Sequence, residues 1–272
     1  MRTSIMSLPT LLLALAGTPA TAETEVPFIT TPDHVTLAML EIAAVGAADH
    51  LIDLGSGDGR IVITAAKRFG ASGLGVEIVP DLVRRSRASA IAAGLAERVE
   101  FREQDLFTTE LSRATVITMY LLPELNLQLR PRLLALAPGT RIVSHDWDMG
   151  DWAPERTLTL AVPDKSVGRE KSSRVHLWVV PARIDGLWCS GGDGLRISQR
   201  FQQVSAVLER PGGAAPVLVF DARVEGERLQ AKQPHLLAFQ IVPGALRVLQ
   251  AGGAAAGIKG REFVPAAAGR CG

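Results

Sequence analysis

The stretch His50-Leu51-Ile52-Asp53-Leu54-Gly55-Ser56-Gly57-Asp58-Gly59-Arg60 constrains this chain more than any other. A short apolar run ends in three glycines at alternate positions. A helical pattern follows over residues 61–69, with Ile61, Ala65 and Phe69 on one face. Glycines at this spacing let the backbone turn sharply and come close to a bound ligand. A strand that stops in such a loop and restarts as a helix belongs to a strand–helix–strand unit, and the pattern downstream repeats that unit.

Residues 73–78 read as a second strand. Pro80 opens the next helix at its first position, with Asp81 favourable in the first turn, and Gly94 ends it. Residues 99–102 form a third strand. The nearly wholly apolar 114–121 is a fourth, of the kind buried in a parallel sheet. Pro123 starts a helix that Pro131 is expected to bend or break. Residues 141–144 are a fifth strand, and 156–162 with 174–180 a final longer pair. Such alternation predicts an α/β fold, a parallel sheet covered by helices on both faces.

From residue 182 the period changes. Leu195, Ile197, Gln199, Phe201, Gln203, Ser205 and Val207 alternate on β spacing, and further short strands are expected at 217–220, 228–230 and 236–242. A small mostly-β domain over 182–272 follows, its Gly- and Ala-rich end from 251 partly loose. At 272 residues and 47% hydrophobic content the chain carries enough apolar side chains for two cores.

Residues 1–22 are set apart by a short apolar stretch and by Ala20-Thr21-Ala22, a small-x-small cleavage pattern. The stretch is too short to span a bilayer. The expectation is a signal peptide cut after Ala22, a first domain over 23–181, and a periplasmic or secreted product with no transmembrane helix. The alternatives are an uncleaved inner-membrane anchor and a cytoplasmic product of a misassigned start codon. Export would place Cys189 and Cys271 in an oxidising compartment, where a disulfide becomes plausible. Without a CxxC these thiols exclude a zinc ribbon, and nothing else suggests a metal site. A net charge of +1 offers no basic footprint for nucleic acid.

The glycine loop satisfies neither common nucleotide fingerprint. In GxGxxG the third glycine position is Arg60 here, and no Gly-Lys-Ser/Thr follows for a P-loop. Two later features strengthen it. Glu77 ends the second strand, where an acid beside the loop can grip two ribose hydroxyls. Gln104-Asp105-Leu106 follows the third strand, where Asp105 can accept from an adenine amine. Asp53 can stabilise loop amides or accept from a ligand amine.

In these residues the chain resembles the class I S-adenosylmethionine-dependent methyltransferases, over about residues 27–181. The resemblance implies a doubly wound Rossmann-like sheet of seven strands with the last pair antiparallel. It implies that Gly55, Gly57 and Gly59 line the methionine part of S-adenosylmethionine, Glu77 the ribose and Asp105 the adenine. More narrowly, Pro27-Phe28-Ile29-Thr30-Thr31-Pro32 and DLGSGDGRIVITAAKRFG are similar to the group of the ATP synthase c-subunit lysine methyltransferase and its bacterial relatives. That likeness implies that Thr31 and its segment cover the cofactor; a plain extended linker is the other reading.

The acceptor side is expected past the fourth strand. The (Asn/Asp/Ser)-Pro-Pro-aromatic signature of base and glutamine methylation is absent there, and no cysteine sits in this region for C5 methylation. Tyr120, the sole tyrosine, shapes an acceptor channel or is a core aromatic. His145, Asp146 and Asp148 follow the fifth strand and are placed at the acceptor mouth with Glu124. His145 is a candidate general base, and the carboxylates candidates to hold an ammonium before it loses its proton. The reading is N-methylation of a protein lysine, with a small-molecule acceptor or a non-catalytic exported binding module as alternatives.

Overall fold

The computed structural model describes residues 29–166, 170–213 and 215–271. The signal peptide expected over 1–22, and Pro27 and Phe28 of the covering segment, lie outside the described residues.

Seven strands form one sheet: β1 (His50–Leu54), β2 (Ser72–Glu77), β3 (Val99–Glu103), β4 (Val116–Met119), β5 (Arg141–His145), β6 (Arg156–Ala161) and β7 (Ser172–Val179). Their order is β3-β2-β1-β4-β5-β7-β6, and only β7 is reversed, antiparallel to both of its neighbours. Four helices accompany it: α1 (Asp33–Ile42), α2 (Arg60–Phe69), α3 (Pro80–Ala92) and α4 (Pro123–Leu133). This is the Rossmann-like methyltransferase sheet, and none of its described helices is long and apolar enough to cross a membrane.

The apolar runs are continuous because each strand feeds two cores. Leu51, Val116 and Val143 pack with α1 and α2, while Ile52, Leu54, Ile117, Met119 and Ile142 pack with α4 on the other face. Strand order reverses between β1 and β4, which opens a crevice at their carboxyl ends. Pro131 does not break α4. It sits in the last turn, where the one hydrogen bond that a proline removes matters least.

The remaining strands are β8 (Gly186–Ser190), β9 (Asp193–Arg200), β10 (Gln203–Glu209), β11 (Leu218–Glu225), β12 (Arg228–Ala231), β13 (Leu237–Val242), β14 (Ala245–Ala251) and β15 (Glu262–Pro265). They close into an eight-stranded antiparallel barrel with its own core, including Leu195, Ile197, Val204, Phe220 and Phe239. The single alternating strand expected from Leu195 to Val207 is two strands. A turn at Phe201-Gln202 shifts the phase, so that Val204, Ala206 and Leu208 face inward instead of Gln203, Ser205 and Val207. The described end of the chain is part of the barrel. β15 joins β14 to β8 and completes the barrel, and a disulfide links Cys271 to Cys189 in β8.

The barrel is seated on the α4 face of the sheet. Phe201, held at φ 53°, stacks on Trp152 with ring centroids 6.0 Å apart. Trp152 Nε1 donates to Gln202 Oε1 at 3.0 Å, and Gln202 Nε2 donates to the Val179 carbonyl at 3.3 Å. Arg223 pairs with Glu155, and Asp151 with both Arg130 and Arg200. Pro181, Ala182 and Ile184 are buried, so the connection is packed rather than a bare linker. Trp152→Ala should therefore cost about 3–5 kcal/mol. Chemical denaturation should show one transition moved to lower denaturant for sheet and barrel together. An unmoved barrel transition would mean that the two cores are not joined here.

Candidate functional site

Behind β1 the backbone passes through Gly55 at φ 76°, Gly57 at φ 53° and Gly59 at φ 81° before α2 begins. The Gly55 and Ser56 amides both donate to the Val76 carbonyl, at 3.0 and 2.9 Å. A side chain at Gly55 would meet Leu121 at 2.9 Å. Gly59 answers to a different neighbour. A Cβ there would lie 2.6 Å from the Phe101 ring and 2.7 Å from Ser86, so this glycine lets α2 pack against β3 and α3. It is not among the residues that line the cavity, unlike Gly55 and Gly57.

The loop borders a cavity of about 1460 Å³, space for a nucleoside cofactor and an acceptor side chain together. Thr31, Asp53, Gly55, Gly57, Glu77, Asp105, Tyr120 and Asp146 all line it. The Glu77 carboxylate accepts from the Gly57 amide at 3.0 Å and from the Ile78 and Val79 amides at 2.8 and 3.0 Å, so it fastens β2 to the loop. Asp105 Oδ1 accepts from the Phe107 amide at 2.8 Å, which fixes the turn after β3. The Ser56 hydroxyl is buried on the wall with no hydrogen-bond partner among the described residues. The hydroxyl packs toward β2, 2.6 Å from where a Cβ on Gly75 would lie, so it is the side-chain-free backbone at Gly55 and Gly57 that fits a polar ligand entering the loop, as S-adenosylmethionine requires.

Arg60 stands where a dinucleotide loop would have its third glycine. Its guanidinium binds Asp58 at 2.6 Å and donates to the Thr31 carbonyl at 3.0 Å, so it ties the segment before α1 to the glycine loop. Thr31 is thus fixed against the cavity from the N-terminal side, and the linker reading does not hold for it.

Asp53 is buried, and its Oδ1 accepts from the Thr118 hydroxyl at 2.7 Å. Burial pushes its carboxyl up to about 7; the Thr118 bond opposes this and the nearby Glu77 charge adds to it. The folded protein therefore holds a proton that the unfolded chain, near 3.8, has released. Stability from this group is full below about pH 4 and lost as pH rises through 7. Asp53→Asn should raise the melting midpoint at pH 8 and leave it nearly unchanged at pH 4, while weakening S-adenosylhomocysteine binding. An equal effect on melting at both pH values would exclude burial of charge as the cause.

The acceptor end is built from the ends of β4 and β5. The Tyr120 hydroxyl donates to Asp146 Oδ2 at 3.3 Å. Burial, then the Asp146 charge, pushes the Tyr120 phenol up to about 12, so it stays protonated and donates. Asp146 sits at φ 64° and accepts from Lys165 Nζ at 2.8 Å and the Arg174 amide at 3.0 Å. Burial works against its charge, but the Lys165 bond and the other neighbours outweigh it and hold the carboxyl below its ordinary value.

His145 is not at the mouth. It is buried beneath Tyr120, ring centroids 3.9 Å apart, with Nδ1 3.2 Å from the Thr31 hydroxyl and Nε2 2.8 Å from that of Ser173. Burial lowers its pKa to about 4, so it is neutral, and it is walled off from the cavity it was expected to serve as a base. Glu124 and Asp148 are also off the wall; Asp148 accepts from the Gly150 amide and shapes a turn. Sequence reasoning missed Lys165, the exposed Trp147 on the wall, and buried Asn126, whose Nδ2 donates to Ser144 Oγ and to the carbonyls of Trp147 and Asp148. No local motif marks any of the three.

The family described as the ANTKMT methyltransferase domain matches residues 53–156, ending before β7 and the barrel. A protein-lysine N-methyltransferase of Saccharolobus islandicus is 42% identical over 135 residues, 49% of this chain and 84% of the relative. The ATP synthase c-subunit lysine N-methyltransferase of Mus musculus is 36% identical over 136 residues, 47% of this chain and 55% of that one. This chain therefore spans about half the length of that animal relative. A structure of an RNA methyltransferase from Salinibacter ruber, in complex with S-adenosyl-L-homocysteine, is 51% identical. It covers 57% of this chain and 96% of its own, with a TM-score of 0.52.

Proposed function

Since this chain belongs to the protein-lysine N-methyltransferase family and uses S-adenosylmethionine, we propose that it methylates the side-chain amine of a lysine in a protein substrate. One observation carries the choice of acceptor. The cavity that begins at the glycine loop ends at Asp146, a carboxylate kept ionised beside the Tyr120 hydroxyl. That oxygen already holds the Lys165 ammonium at 2.8 Å, so the position accommodates an amine cation and repels a phosphate.

The cofactor supplies a methyl group on a sulfonium, a leaving group that needs no activation, so the protein's work is positioning and proton removal. Gly55 and Gly57 give the backbone clearance. Glu77 and Asp105 stand where ribose hydroxyls and an adenine amine would be accepted. Asp53 gains its charge when a cationic ligand group approaches, so cofactor affinity should rise with pH through about 7. On the acceptor side Tyr120 and Asp146 orient the amine. His145 sets the Tyr120 ring from below and touches no reacting atom.

Glu77→Ala should weaken S-adenosylhomocysteine binding by about 1–3 kcal/mol in calorimetry, since a charged hydrogen-bond acceptor is lost. Gly57→Val should abolish it, because a β-branched residue resists φ 53°. With labelled S-adenosylmethionine and cell extracts, the label should appear on lysine. Label confined to RNA, which the likeness to the Salinibacter RNA methyltransferase makes the sharpest competitor, would overturn the lysine assignment and keep the methyltransferase.

The same proposal includes export. The 1–22 leader pattern and the Cys189–Cys271 disulfide both support a periplasmic or secreted protein. Fractionated cells should hold a mature form beginning at Glu23 whose gel mobility changes on reduction. A full-length cytosolic protein with two free thiols would sink this part alone.

A further inference from the structure

Lys165 is the one lysine among the described residues of the cavity wall. It lies in the connection from β6 to β7, and β6 runs parallel to β1. Its chain therefore rises at the same sheet edge as the glycine loop. The side chain is only 15% exposed. Nζ donates to Asp146 Oδ2 at 2.8 Å and to the Ser172 carbonyl at 2.6 Å. The Tyr120 hydroxyl donates to the same Asp146 oxygen. A lysine ammonium thus already stands against the carboxylate and phenol that a substrate lysine would need.

We propose that Lys165 occupies the acceptor subsite as an internal substrate and that the chain methylates it on Nζ. This rests on the lysine-amine reading above. An ammonium has three N–H groups. Two are committed to Asp146 and Ser172, and the third has no partner among the described residues. Loss of that proton to water at the mouth leaves a lone pair on Nζ while both anchoring bonds remain. The lone pair forms the N–C bond as the S–C bond breaks. The electron pair of that bond goes to sulfur, which leaves as neutral S-adenosylhomocysteine, and the new methylammonium carries the positive charge. Monomethyl-lysine still has two N–H groups and satisfies both partners, whereas a second methyl would sacrifice one of them. The product is therefore a single methyl group.

The test uses the full purified chain with labelled S-adenosylmethionine and no other protein, read by peptide mass spectrometry. Poly-L-lysine is assayed in parallel as an outside acceptor. The expected result is one methyl on Lys165, approaching one per chain, at a rate per chain that does not change on dilution. Lys165→Arg keeps the positive charge and should lose the label. Label on other lysines, or a rate per chain that rises with protein concentration, would overturn the proposal. So would an unlabelled chain while poly-L-lysine is methylated, and that result leaves the lysine-amine function standing. If neither is labelled although S-adenosylhomocysteine binds, the lysine-amine reading itself falls and the proposal with it.

Discussion

At the carboxyl end of β1 the backbone must leave the sheet and enter α2 through a passage with no room for side chains. The positions of the other site groups follow from that passage. The Val76 carbonyl receives both the Gly55 and the Ser56 amide, and the Glu77 carboxylate receives that of Gly57, so β2 holds the loop from one side. The Phe101 ring of β3 fills the space that side chains at Gly59 and Gly75 would take. Three strands that contribute separate motifs to the sequence are thus one packing unit. A larger residue at Gly59 or Gly75 would displace Phe101 and disturb β3 before it touched any ligand.

Two carboxylates in this cavity receive opposite electrostatic treatment. Asp53 is buried with a hydroxyl but no cation beside it, and it holds its proton to near neutrality. Asp146 is only half-buried and has an ammonium and a backbone amide, and it stays ionised. The difference suits a site that takes a cation at each end. The inner carboxylate gains its charge with the ligand, and the outer one is charged in advance.

The sheet was legible because burial on both faces writes continuous apolar runs into β1, β4 and β5, and because Pro80, Pro123 and Gly94 mark helix ends. The cofactor side was legible because a loop of alternating glycines tolerates few substitutions. The turn at Phe201 was not. A large aromatic residue at positive φ contradicts the usual turn chemistry, and it is held there by Trp152 from a distant part of the chain. His145, Lys165 and Asn126 were misplaced or missed for a related reason. Their roles come from partners at Thr31, Asp146 and Ser144, which only the folded sheet brings near.

The seat between Trp152, Phe201 and Gln202 has a thermodynamic consequence. Because each core completes its packing on the other, an opening of the barrel also exposes the wall behind β4 and β5. Ligand that binds only the closed sheet then protects both, by RT ln(1 + [L]/Kd). Barrel amides that touch no ligand would exchange with solvent more slowly as the cofactor site fills. The occupancy of one end of the molecule is thereby written into the lifetime of hydrogen bonds at the other.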